Sequence, residues 1–286
     1  MFIYLKDRTD RLGTNIILYI AQILFAHKNQ YEIRYKKDPS QYSFHSSVFV
    51  QMLFKYIVIY NKKLVLDNTE RNEMEVNQSD DFITLISNCV QILETDLVSY
   101  FHVHVFPHIQ EDVIALNEVF NVPFEIDRTI VVHLRLDDTA HLSDYDGSSC
   151  ANYYRDDMNN KNTCIMQREK NNNSQAPLSK EKLLKIINGL EEDYKKRDIL
   201  LLTSPISDTS FLPYQVIKSQ DENYDLYLLS VAKVVVLSRS QFAFSSLFFN
   251  KLENKEKMCI PLWGHNICFG LDTKYDCLKD KCTYFY

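Results

Sequence analysis

The chain has 286 residues, 45% of them hydrophobic and 24% charged, with only 5 Gly and 7 Pro, which excludes disordered, collagen-like and low-complexity classes. That length suffices for two modest domains sharing a cleft. A formal net charge of -6 argues against nucleic acid as a partner, because sequence-independent binders neutralise phosphates with a concentrated Lys/Arg excess. The seven cysteines are odd in number and scattered, which suits a reducing compartment, and the close pair Cys277 and Cys282 alone makes no zinc site.

At the amino terminus, residues 2–5 read as a strand, followed by a polar turn with Arg11, Leu12 and Gly13 and a helix over about 15–26. Lys6, Arg8, Asp10 and Arg11 precede the apolar run 16–25, so no export signal is expected. The run is shorter than the ~20 residues that cross a bilayer, and a cytoplasmic protein with no membrane span is the expectation. Segments 48–60 and 82–98 read as further helices, the second with Phe82, Leu85, Ile86, Cys89, Val90 and Leu93 at helical spacing. From Arg128 the pattern changes to a β-branched strand, Thr129 to Val132, running into His133 to Asp138. Residues 141–177 read as a long Asn/Asp/Ser-rich loop. A helix over 179–196 and a strand over 199–202 follow, then a helix at 225–232, a strand at 234–237 and a helix at 241–250. This alternation implies an α/β fold with a parallel, doubly wound sheet in the second half. The aromatic tail after Lys257 is expected to pack back across the lobes.

In such sheets ligands bind beyond the carboxyl ends of the strands, where the strand order reverses. The residues there are His133 to Asp138, Thr203 with Ser204, and Ser238 to Gln241. Arg135 can fork onto a diphosphate, and Ser238 and Ser240 stand before a helix start that favours anions. No P-loop or dinucleotide glycine fingerprint is present, which disfavours kinases and dehydrogenases.

The segment HLRLDD, residues 133–138, resembles the HxRxxD motif of fucosyltransferase families with the two-Rossmann GT-B architecture. The block DLYLLSVAKVVVLSRSQFAFSSLFFN, residues 225–250, is similar to their DxxxLSxAxxxIxSxSSFSxxAAxLN. The opening DRLGTNIILYIAQILFA is similar to their GLGNQLFxYAxAxA start. The resemblance implies an inverting glycosyltransferase with an acceptor-side lobe, residues 1–127, and a nucleotide-sugar-binding lobe, residues 128–286. It also implies no metal cofactor, a nucleotide-sugar donor and a glycan acceptor. Carried over residue by residue, Arg135 would hold the donor's β-phosphate, and Ser240 with the backbone of Gln241 and Phe242 would bind phosphate. Asp225 would lie near the base, with Arg11, Gly13, Thr14 and Asn15 facing the phosphates from the first lobe. His133, Ser204 and Ser238 complete the donor set. Asp137 and Asp138 stand at the right strand end for a catalytic base, with Asp144 and Asp146 in reserve. Many family members have a second Arg after the first, and here that position is Leu136, as in the protein O-fucosyltransferase branch. That departure leaves the donor open between GDP-fucose and UDP-xylose. The latter would suit viral glycosyltransferases that build capsid glycans in algal cytoplasm, a xylosyltransferase among them.

Other readings stand beside these. His133 is equally a satisfied core histidine, Arg135 half of a salt bridge with Asp137 or Asp225, and Ser238 and Ser240 helix caps. His102, His104 and His108 have a spacing that could bind metal if the first two share a strand face. Asp144 and Asp146 form a DxD, the metal signature of the other large glycosyltransferase architecture. A non-enzymatic glycan-binding protein would keep the fold without the chemistry.

Overall fold

The computed structural model describes residues 1–9, 11–62, 66, 75–76, 81–135, 178, 180–205, 207, 209–210, 212–262 and 268–285. The most buried stretch of β-branched residues organises the rest. Strand β3, Thr129–His133, is buried at every position and pairs in parallel with β4, Asp198–Thr203, on one side and β6, Val234–Val236, on the other. Strands β5, Gln215–Lys218, β7, Lys257–Pro261, and β8, Cys282–Phe285, extend the sheet to six parallel strands in the order β5-β4-β3-β6-β7-β8. A separate pair, β1, Phe2–Tyr4, and β2, Glu32–Arg34, is also parallel.

Because side chains alternate across a strand, the central strands feed two cores. Ile130, Val132, Leu201, Val234 and Val236 pack with Leu183, Ile187 and Leu190 of α6, Lys180–Asp193. Val131, Leu200, Leu202 and Val235 face the opposite way, toward Leu226, Leu228 and Leu229 of α7, Glu222–Val231, and Ala243 and Phe244 of α8, Gln241–Ser245. Helices therefore cover both faces, the arrangement that all-parallel sheets require. With β3 counted first, the sheet runs 3-2-1-4-5-6 and reverses direction between β3 and β6.

The amino-terminal half contributes helices more than sheet. Helix α1, Leu12–Asn29, is buried nearly all round, which marks a central helix and not a surface one. Its fully buried Gln22 is satisfied by backbone, accepting from the Lys6 amide at 2.7 Å and donating to the Lys6 carbonyl at 2.9 Å. Around it stand α2, Val48–Asn61, α3, Phe82–Leu93, α4, Leu97–His104, and α5, Phe106–Val119. Both halves share one apolar core, continuous from Ile3 and Ile16 through Phe101 to Val235, Phe248 and Phe269. Eight α-helices are present among the described residues, and no single one is long and apolar enough to cross a membrane.

Several expected elements change form. The helix read over 82–98 is two helices bent by 61°, because Asp96 caps a new start by accepting from the Ser99 amide at 2.8 Å while Glu94 turns left-handed at φ 58°. The helix read over 241–250 ends after Ser245 and continues as a 3-10 turn, Ser246–Phe248. His102 and His104 lie on helix α4, not a strand, and part company: His102 Nε2 meets the Leu247 carbonyl at 2.8 Å, whereas the His104 ring lies tilted against His27 with centroids 4.9 Å apart. The tail supplies β7 and β8, and between them Phe269 accepts from the Leu97 amide at 3.2 Å and Tyr275 from the Asp96 amide at 3.0 Å. Gly270, at φ 94°, passes so close to Asp96 that an added Cβ would lie 2.8 Å from the Asp96 Cα.

One buried cation anchors α7. Lys255 donates to the carbonyls of Leu229, Ser230 and Ala232 at 2.9, 2.7 and 2.7 Å, so its ammonium terminates the helix with three acceptors. Burial pushes it down to about 7, and the carbonyls favour the charged form. Lys255→Met strands those acceptors in the core, and chemical denaturation at neutral pH is expected to show a loss of about 2–4 kcal/mol.

Candidate active site at the strand-order reversal

Short apolar strands end abruptly at polar residues where β3 and β6 lie side by side, and that is where the candidate site forms. His133 closes β3 and Ser238 follows β6, and the His133 Nδ1 meets the Ser238 hydroxyl at 2.7 Å. The histidine is 9% exposed, and burial first, then the charge of Arg135, push it down to about 3, so its ring is neutral. Its ring also lies 5.8 Å from that of Phe242. His133 and Ser238 thus tie the two strand ends together. Arg135 stands two residues further along the chain, and its Nη1 donates to the Arg239 carbonyl at 3.3 Å. Arg135 and the start of α8 therefore meet at one place.

The amino-terminal half reaches the same point through α1. Gly13 sits against the α8 backbone: a Cβ there would lie 2.2 Å from the Phe242 Cα and 2.3 Å from its nitrogen, so only glycine permits this approach. Thr14 Oγ1 hydrogen-bonds Gln241 Oε1 beside it. The three segments carrying Gly13, Arg135 and Ser240 converge, though they are far apart in sequence. Asn15 serves a different purpose. Its side chain accepts from the Arg8 amide at 2.9 Å and donates to the Arg8 carbonyl at 3.1 Å, which folds the turn between β1 and α1.

The remaining expected residues take places around this centre. Ser240 is the N-cap residue of α8 in extended conformation, without a side-chain capping bond. Ser204 follows β4, one strand out from the reversal, with its hydroxyl 2.9 Å from that of Ser207. Arg11 precedes α1 and its charge acts on Glu222 in the first turn of α7. Asp225, in the same turn, is raised to about 7 by burial, reinforced by Asp221 and Glu222, and its Oδ1 is buried without a hydrogen-bond partner. Asp137, Asp138, Asp144 and Asp146 lie outside the described residues. Among the described residues, no group of three or more His, Cys, Asp or Glu side chains is placed to hold a metal ion.

One arginine absent from the sequence-based set stands here. Arg239, between Ser238 and Ser240, is 1% exposed, and Lys182 of α6 feels its charge. The signal for Arg239 was the one that singled out Arg135: an arginine three residues beyond a β-branched run, here Val234 to Val236. A hollow of about 440 Å³ bordered by His27, Tyr31, Tyr60 and Asn61 lies at the other end of α1, roughly 27 Å away along an 18-residue helix. Its polar groups serve the backbone, Tyr60 donating to the Ala26 and Tyr31 carbonyls and Asn61 to that of Ile33.

Fold and site together define a mixed α/β protein with a six-stranded parallel sheet covered by helices on both faces, at whose strand-order reversal Arg135 meets the Arg239 backbone. The sequence matches no protein-family model and no curated protein.

Two outcomes follow from this geometry. Gly13→Ala forces α1 away from α8, and a melting curve is expected to show a lower Tm, since the clash is with backbone. The folded carboxyl of Asp225 holds its proton up to about 7 while the unfolded one releases it near 3.8. Its contribution to stability is therefore present below pH 3.8 and is lost as pH rises to about 7. Asp225→Asn should match the wild type at pH 4 and melt at a higher temperature at pH 8.

Proposed function

We propose that the protein is an inverting glycosyltransferase that moves a sugar, fucose or xylose, from a nucleotide diphosphate donor to a glycan acceptor. The observation that carries this reading is the meeting of Arg135 with the Arg239 backbone at the strand-order reversal, where the Gly13–Thr14 turn of the other half also arrives. Open parallel sheets bind nucleotides at this place. The likeness of those three segments to the GT-B fucosyltransferase motifs supports the same conclusion. In that architecture residues 1–127 would face the acceptor and 128–286 the donor.

Chemically, an acceptor hydroxyl attacks the anomeric carbon while the bond from that carbon to the diphosphate oxygen breaks, and the leaving group keeps the electron pair. Charge grows on the diphosphate as this happens, so fixed guanidinium groups stabilise the transition state more than the bound donor. Arg135 and Arg239 would supply that field. The acceptor proton passes to a carboxylate, for which Asp137 and Asp138 are the proposed candidates. Neutral His133 would act by position, holding Ser238 and the two strand ends in register.

Calorimetric titration with GDP-fucose, UDP-xylose and the free diphosphates tests the proposal. One donor is expected to bind, Arg135→Ala to weaken it at least about tenfold, and a glycan acceptor to release nucleoside diphosphate over many turnovers. Absence of binding by every donor in the panel would reject the assignment, and binding without diphosphate release would leave a carbohydrate-binding protein in its place.

A further inference from the structure

We propose that His27, His104 and His108 form an acid-sensitive latch that holds the corner between α4 and α5 against the end of α1, and that protonation of this cluster releases the corner. The latch stands apart from the candidate active site, which lies at the other end of α1.

Three helices supply the imidazoles and a fourth walls them in. His27 lies in the last turn of α1, His104 closes α4, and His108 lies in the first turn of α5. Val105 alone separates α4 from α5, so His104 and His108 stand on either side of the joint. The rings of His27 and His104 have centroids 4.9 Å apart, and the Tyr100 ring lies 4.1 Å from that of His104. His27 Nδ1 meets the Tyr100 hydroxyl at 3.2 Å. From α2, Tyr60 sets its ring 5.9 Å from His27, and Tyr56 sets its ring 5.6 Å from His108. The corner is also the side free to move. Helix α1 is buried nearly all round, whereas His108 is exposed and Val103, beside His104, is 67% exposed.

The surroundings give these rings no negative charge to lean on. Among the described residues no carboxylate pairs with any of the three histidines. The charges that act on His27 are those of His104 and His108, and the one that acts on His104 is that of Lys28. Burial pushes the hydroxyls of Tyr56, Tyr60 and Tyr100 and the Cys89 thiol of α3 upward, so all four stay neutral in the range where histidine titrates. Two carboxylates on neighbouring elements are engaged elsewhere: Asp112 of α5 accepts from Lys55 of α2 at 2.7 Å, and Glu32, on the border of the hollow that His27 lines, pairs with Arg34 at 2.7 Å. Neutral rings pack face to face at no cost, whereas imidazolium rings at this spacing repel. Burial first, then the neighbouring charges, push His27 and His104 below the 6.5 of the unfolded chain. The stability they contribute is therefore present above pH 6.5 and is lost as pH falls below it.

Amide hydrogen exchange of the full chain near neutral pH and about 1.5 units below it, each corrected for the intrinsic rate, tests the latch. Protection of the amides of residues 100–110 is expected to fall at least about tenfold at the lower pH, while those of β3 and α6 hold theirs. Locality matters because His102 and His133, pushed down to about 4 and about 3 by burial, also weaken the whole fold in acid. The double variant His27→Gln with His104→Gln, which stays polar and cannot take up a proton, is expected to abolish the local response. A loss spread evenly over all elements, or a local loss that persists in the double variant, overturns the latch. His108→Gln, at an exposed position, is the milder variant and is expected to reduce the response at least about threefold. An unchanged response in that variant overturns the latch as well.

Discussion

The reversal of strand order between β3 and β6 is the constraint from which the rest of the molecule follows. Two neighbouring parallel strands whose connections leave in opposite directions have no crossover helix joining them over the seam, which is why open sheets of this order form ligand crevices at that point. The hydrogen bond between His133 and Ser238 holds the seam, and the chain leaving each strand carries an arginine, Arg135 on one side and Arg239 on the other. The strands below are buried at every position, so the polar groups stand beyond their ends.

The amino-terminal half is fitted to this seam through a single close approach. Helix α1 is buried along nearly its whole length, yet its first turn bears Gly13 and Thr14 directly on the start of α8. The absence of a Cβ allows backbone to touch backbone, and the neighbouring threonine turns the contact into a hydrogen bond with Gln241. The two halves consequently share a continuous apolar core, from Ile16 through Phe101 to Phe249. Relative motion of the halves would have to break that core, which contrasts with the smaller, more polar interfaces across which domains usually hinge.

Stability and the candidate site draw on the same chemistry in different proportions. Lys255 is a buried cation whose acceptors are all backbone carbonyls, so its charge serves the end of α7 alone. At the seam, Arg135 instead donates to the Arg239 carbonyl and so joins the chain leaving β3 to the chain leaving β6. Asp225, raised to about 7 in the first turn of α7, is held there against its own solvation. That sets it apart from the exposed capping carboxylate Asp81, which accepts from the Thr84 amide at 2.9 Å.

The amino-acid sequence by itself determined the central strands and the main helices. A run such as Thr129 to Val132 has one stable use, a buried strand, and α6 shows its apolar stripe at helical spacing. It also marked Arg135, Ser238 and Gly13, because charged or glycine residues interrupt apolar patterns at those points. Edge strands such as Gln215–Lys218 and Cys282–Phe285 were not legible, since they are short, partly exposed and held by ladder bonds to distant residues. The split between α3 and α4 was written in the Asp96 cap, but the apolar spacing around it masked the signal. Only the tertiary structure decided which residues gather at the seam. It assigned Asn15 to the β1–α1 turn, sent His102 and His104 in different directions, and brought in Arg239. The reason is that strand order and helix placement are set by packing between segments far apart in the chain, and no local pattern records which strand ends will become neighbours.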